Sequence, residues 1–205
     1  FTAASVSYYT GSPWIGFFSG GIAGALVGLL HAIASVSFRA DQTVSGIAIN
    51  MIGSGLTLFM ANLLFGGANS PVLQKKMPKI FGIDSPAIIA LICVVLLWVF
   101  LYRTKWGLRV LAVGEHPAAA DTLGVNVYKI RYLSVIASGF FSGLGGAAVT
   151  VSLISNFTPT SITGQGFIAL AAVIFGKWTP HGAYGAALMF GFAQALAIYL
   201  GAGSS

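Results

Sequence analysis

The sequence predicts an all-α protein, a polytopic transmembrane helical bundle, and three observations carry that expectation. Only 7% of its 205 residues are charged and 57% are hydrophobic, whereas soluble domains carry about a quarter charged residues. Long apolar runs recur along the chain with no Asp, Glu, Lys or Arg in their interiors. Glycine contributes 27 residues, and glycine is more frequent in membrane helices than in soluble ones.

The elements follow in order. FTAASVSYY (1–9) reads as the tail of a helix already under way, and the chain stops abruptly after AIYLGAGSS. It is therefore expected to be an interior fragment of a longer membrane protein, with 1–205 forming a single transmembrane domain. The turn TGSP (10–13) leads into WIGFFSGGIAGALVGLLHAIASV (14–36), long enough to cross the bilayer. FRADQT (38–43) precedes a second span over about 44–65. After the loop 66–84, Ser85-Pro86 predicts a helix start, with serine as N-cap and proline at the first helical position. The third span covers 86–102 and ends at Arg103, the fourth runs over about 132–154, and the last over about 183–200. Between these two, GQGFIALAAVIFGK (164–177) is too short to cross untilted unless it recruits FTPTSIT before it. It reads as a tilted crossing or as a broken, re-entrant helix.

Loop charge sets the orientation. The region 103–131 holds five Lys or Arg residues and the loop 66–85 holds three, which favours 103–131 as cytoplasmic. Alternation then puts 38–43 on the same side and 66–85 on the other. GFFSG occurs at 16–20 and again at 139–143, on helices of opposite direction in this topology. That is the pattern of an inverted repeat, although short glycine-rich matches also arise from composition alone.

Half of the charged residues lie between Arg103 and Arg131. Within that stretch, Glu115 suits a helix N-terminus, Pro117 the first helical position, and Gly124 the stop. The expected product is a two-turn helix, Pro117–Leu123, with Ala118, Ala119 and Ala120 as its face. Such a helix suits a grip by a soluble partner, and a solvated interhelical helix without one is the other reading.

The order WGLRVLAVGEHPAAADTLGVNVYKIRYLSVIASGFFSGLGGA, followed by GQGFIALAAVIFGKWTPHGAYGAALMFGFAQAL, resembles the membrane permeases of bacterial ABC importers. The branch is the one handling simple sugars, nucleosides and branched-chain amino acids, and the likeness covers essentially the whole chain. SFRADQTVSGIAIN (37–50) is similar to the subgroup of nucleoside and simple-sugar permeases served by a basic membrane lipoprotein. The resemblance implies a permease subunit in a bacterial cytoplasmic membrane for a nucleoside or simple sugar, and the lack of any intramembrane charge independently points to a small, neutral, polar solute. Its implied partners are a separate ABC ATPase, a second permease subunit and an extracytoplasmic substrate-binding lipoprotein. In that family, the segment matching Gly114–Gly124 is the cytoplasmic coupling helix. Gly114, Glu115, His116, Pro117, Ala118, Ala119, Ala120, Asp121 and Gly124 are thus the expected ATPase-coupling residues, and 103–131 the coupling region. His116 stands where asparagine is common, and Gln165 where a basic residue is frequent.

For the translocation path, Asn50 and Gln194 are polar groups inside spans, and such groups line pathways or bond to neighbouring helices. GQGF opens a short helix with free backbone N–H groups, which makes Gln165 and Phe167 path candidates, with a packing hinge as the other reading. His31 reads as a satisfied structural histidine. The four-residue spacing of Gly20, Gly24 and Gly28, and of Gly139 and Gly143, predicts close helix packing, within this chain or between two permeases.

Several classes are disfavoured. The basic residues form no stripe interleaved with exposed aromatics, so the net charge of +6 does not point to nucleic acid. One cysteine, Cys93 in an apolar run, supplies neither a disulfide framework nor a CxxC site. The chain has no phosphate loop, HExxH or serine–histidine arrangement, so no catalytic, metal or cofactor site is expected. A secondary carrier or channel remains the alternative, although proton-coupled carriers usually need an intramembrane ionisable relay. A non-transporting membrane scaffold is a third reading.

Overall fold

The computed structural model describes residues 1–202, apart from Gln74, Phe81, Ser161 and Thr163. Five of its helices are long and apolar enough to cross a membrane: Pro13–Ser37, Gln42–Phe65, Ser85–Arg103, Val127–Ile154 and Pro180–Gly201. The chain divides into two compact units, Phe1–Pro86 with Arg109–Ile162, and Ala87–Leu108 with Thr163–Ser205.

In the first unit, α1 (Thr2–Thr10) lies against α2 (Pro13–Ala32). Glycine makes that contact possible: a Cβ on Gly20 would lie 3.2 Å from Ala3 Cβ. α2 continues as a π-helix through Ile33–Ser37, and α3 (Gln42–Phe65) follows. Asp41 caps α3, accepting from Thr43 N at 2.8 Å and Val44 N at 3.0 Å. This cap starts the helix two residues before the apolar run begins.

The loop after α3 carries a short antiparallel ribbon, β1 (Lys79–Ile80) with β2 (Ile83–Asp84), and an ion pair between Lys79 Nζ and Asp84 at 3.9 Å. The ribbon is too short to alter the all-α class. α4 (Ser85–Arg103) begins at the expected Ser-Pro step, but Ser85 Oγ donates to the Pro78 carbonyl, back across the ribbon.

The dominant contact of this unit is between α2 and α7 (Val127–Ala148), which itself continues as a π-helix through Val149–Ile154. Gly20 meets Ala147 and Gly143, Gly24 meets Gly143 and Gly139, and Gly28 meets Gly139 and Val135. Numbers rise on one helix as they fall on the other, so the two GFFSG helices run antiparallel, in the sense an inverted repeat requires. Both end in a π-helical stretch. The four-residue glycine spacing therefore serves packing within the chain.

The two ends of this unit are tied separately. At one, Ser37 Oγ bonds to the hydroxyls of both Tyr128 and Tyr132. At the other, Ser70 N donates to Phe157 O at 2.9 Å, Phe157 N to Ser70 Oγ at 2.7 Å, and Leu73 N to Ser155 O at 2.7 Å. The loop 38–41 thus lies with the start of α7, and the loop after α3 with its far end, as the charge count predicts for this unit.

In the second unit, α8 (Gln165–Phe175) and α9 (Pro180–Ala202) form a hairpin. Lys177 and Trp178 adopt left-handed backbone angles in the turn. Gly176 and Gly182 let the two backbones touch, because a Cβ on Gly176 would lie 2.5 Å from Ala183 Cα.

Candidate functional site

The polar region 103–131 is more helical than the sequence suggests. α5 (Lys105–Glu115) precedes α6 (Pro117–Thr122), which begins at the expected proline. His116 occupies the N-cap position of α6 without a capping side-chain bond. Gly124 adopts φ +79°, the left-handed geometry that glycine reaches without strain, and so stops the segment where expected. Asn126 restarts the chain as the cap of α7, accepting from Lys129 N at 2.9 Å.

One expectation needs correcting. Ala118, Ala119 and Ala120 do not share a face. Ala120 is 3% exposed and packs with Val113 and Ile130, flanked by Val110, Val125 and Val127. It anchors α6 to α5 and α7, because successive helical residues are turned by about 100° and cannot all point outward. The exposed residues are Ala118 and Ala119, with Glu115, His116 and Asp121 around them, and Ala118 and Asp121 also border the cleft beside α6. Gly114 is also exposed and Pro117 half-buried. Leu123, not singled out from the sequence, is 83% exposed. Its signal in the sequence is a lone large apolar residue in the stretch EHPAAADTLG.

Behind α6 lies a cleft of about 870 Å³. Arg39 comes to it from the turn between α2 and α3, Asp121 from α6, and Asn126, Tyr128 and Arg131 from the start of α7. Two further cavities, of about 430 and 370 Å³, continue between α2, α3 and α7, the larger also walled by Val110, Val113 and Gly114 of α5. The first shares Ser35, Gln42 and Arg131 with the cleft, and the second shares His31 and Val135 with the first. His31 Nδ1 and Ser45 Oγ lie 3.0 Å apart, so the histidine is satisfied as expected.

The path candidates fall in different units. Asn50 is exposed on α3, one turn beyond Gly46 of the inner cavity. Gln165 is half-buried and Phe167 is 77% exposed, both on the first turn of α8, while Gln194 is exposed on α9. Gln165 and Gln194 are equally many residues from the Gly176–Ala183 contact in their hairpin. Asn62 donates to Leu58 O at 3.0 Å within its own helix. Among the described residues, no cluster of His, Cys, Asp or Glu has the makings of a metal site.

Five spans, with their charged residues confined to the ends, define a multi-pass membrane protein of the helical class. The chain belongs to the family described as the branched-chain amino acid transport system / permease component, whose model matches residues 1–203.

Among curated proteins, it is 49% identical over 203 residues to the guanosine ABC transporter permease protein NupQ of Bacillus subtilis, covering 91% of this chain and 64% of the relative. It is 40% identical over 202 residues to the nucleoside ABC transporter permease protein NupC of Lactococcus lactis, covering 91% and 64%. It is 34% identical over 205 residues to the putative glucose ABC transporter permease protein TsgC13 of Haloferax volcanii, covering 93% and 62%. The chain thus spans under two thirds of the length of these relatives. No solved structure matches it.

Proposed function

We propose that this chain is the membrane-spanning part of a permease subunit of an ATP-driven importer in a bacterial cytoplasmic membrane. The solute is small, neutral and polar, a nucleoside or a simple sugar. Names of the relatives support that class, since those at 49% and 40% identity are called guanosine and nucleoside permeases. The physics agrees: no span carries an interior charge to neutralise an ionic solute. ATP hydrolysis belongs to a partner chain, and a second permease and a substrate-binding lipoprotein complete the importer.

The observation that carries the reading is the build of α6. Ala120 anchors the helix from within, while Ala118, Ala119 and Leu123 are left bare on a segment otherwise made for water. Small side chains beside one protruding leucine, ringed by Glu115, His116 and Asp121, suit a groove on a soluble ATPase. ATP-driven movement of that partner would pull on α6 and, through Val113 and Ile130, on α5 and α7. The two states of the bundle would then be biased by contacts made in only one of them.

The test uses the full-length protein in native membranes, with Cys93 replaced and a single cysteine at Ala119. A nucleotide-sensitive cross-link to a chain of ATPase size is expected. Free labelling by aqueous thiol reagents with no partner captured would remove the coupling role and favour a carrier.

A further inference from the structure

We infer that the groove between α2, α3 and α7 is a water-filled inlet that receives a neutral, hydroxyl-rich solute. It reaches from the cleft behind α6 to the glycine crossing near mid-span. The inference rests on the permease reading and deepens it by naming the walls.

Continuity is the first observation. The cleft and the two inner cavities share lining residues in sequence, and the innermost ends at Gly24 and Gly143. At about 430 and 370 Å³, each inner cavity is within the range of about 300–1,000 Å³ typical of small-molecule sites.

The second observation is chemical. Ser134, Ser138 and Ser142 line these cavities at intervals of four, which places them on one face of α7. Hydroxyls in membrane helices usually satisfy themselves on their own backbone. Ser19 does so on Gly16 O at 2.7 Å, Ser35 on His31 O at 2.7 Å, and Thr150 on Gly146 O at 2.8 Å. Ser134, Ser138 and Ser142 make no such bond among the described residues, and unlike Ser5, Ser7 and Ser152, whose unpaired Oγ atoms are buried in protein, they are exposed. A bare hydroxyl against lipid forfeits its hydrogen bonds, whereas one against water or a polar solute keeps them. The next face of the same helix carries Leu133, Ala137 and Phe141, exposed like the serines but lining neither the cleft nor the two inner cavities. That face suits hydrocarbon.

His31 and Gln42 face the serines from α2 and α3. Arg39, Asp121 and Arg131 stand at the mouth, so no formal charge lines the innermost cavity. Three hydroxyls, each able to donate and accept, with an imidazole and an amide opposite, match the hydroxyl edges of a ribose or hexose, and Val27, Ile49, Val110 and Val135 beside them suit its carbon faces.

The test uses the full-length permease, assembled with its ATPase, second permease and substrate-binding lipoprotein in inside-out vesicles, with Cys93 replaced. Single cysteines are placed at 134, 138 and 142, and at the control positions 133, 137 and 141. A charged thiol reagent is expected to label the first set about tenfold faster than the second, because thiols in hydrocarbon do not ionise. Guanosine, as the probe, is expected to slow labelling at 138 and 142. Uniform labelling of both sets, or none, overturns the groove. A periodic pattern without guanosine protection, under conditions in which the Cys93-replaced parent transports guanosine with ATP, overturns the solute claim. Loss of the permease reading shows separately, as absence of ATP-dependent guanosine uptake by intact cells carrying the unmodified importer.

Discussion

Gly24 and Gly143 touch backbone to backbone where α2 crosses α7: a Cβ on Gly24 would lie 2.7 Å from Gly143 Cα, and one on Gly143 would lie 3.0 Å from Gly24 Cα. Neither clash involves a side chain that can swing away, so the helices themselves must separate. Overpacking of this kind costs about 1–3 kcal/mol. Gly24→Ala and Gly143→Ala are therefore expected to lower the thermal midpoint of the detergent-solubilised full-length protein. Gly53, on α3, has open space where its Cβ would be. Gly53→Ala should be neutral or stabilising by up to about 1 kcal/mol through helix propensity. Equal loss at all three positions would show that the crossing is not the tight contact.

Much of this architecture was legible because its causes are local. A run of about 20 apolar residues can only be a span, and Pro117 and Gly124 each favour one end of a helix. The antiparallel GFFSG pair was visible as a repeated motif on helices of opposite sense. What escaped depends on rotation and on distant partners. Three consecutive alanines look alike in sequence, and only the positions of Val113 and Ile130 turn Ala120 inward. The π-helical ends of α2 and α7 have no composition signal, since both read as ordinary apolar helix. The serines at 134, 138 and 142 did have one, a four-residue spacing inside a span, but polar residues that small are easily passed over beside Asn50 and Gln194.

The π-helical end of α2 is tied to the start of α7 through one hydroxyl. Ser37 Oγ bonds to both Tyr128 and Tyr132, whose rings lie 5.1 Å apart. Removing the shared atom breaks two bonds, and removing either phenol breaks one. A net bond contributes about 0.5–1.5 kcal/mol. Hydrogen exchange of the 33–38 amides should therefore accelerate more in Ser37→Ala than in Tyr128→Phe or Tyr132→Phe. Equal rates in the three variants would mean that the π-helix is held by its spans and not by this clasp.

Ala120 and Leu123 lie three residues apart in the 103–131 region and differ sharply in burial. Ala120 has no room beyond its methyl group, being packed on Val113 and Ile130, so Ala120→Arg must expel α6 from its seat. Leu123 is almost wholly bare, so Leu123→Asp removes no contact within the chain and exposes nothing new. Both variants should abolish uptake, for different reasons. In Ala120→Arg, a protease should cut the 103–131 region faster, because a segment without its buried anchor opens locally. In Leu123→Asp the proteolysis pattern should stay that of the wild type, while the cross-link from position 119 to the ATPase is lost. An aspartate carried into an apolar groove is left without a partner at a cost of several kcal/mol. Normal uptake in Leu123→Asp would remove that side chain from the docking surface and leave Ala118 and Ala119 as its apolar contacts.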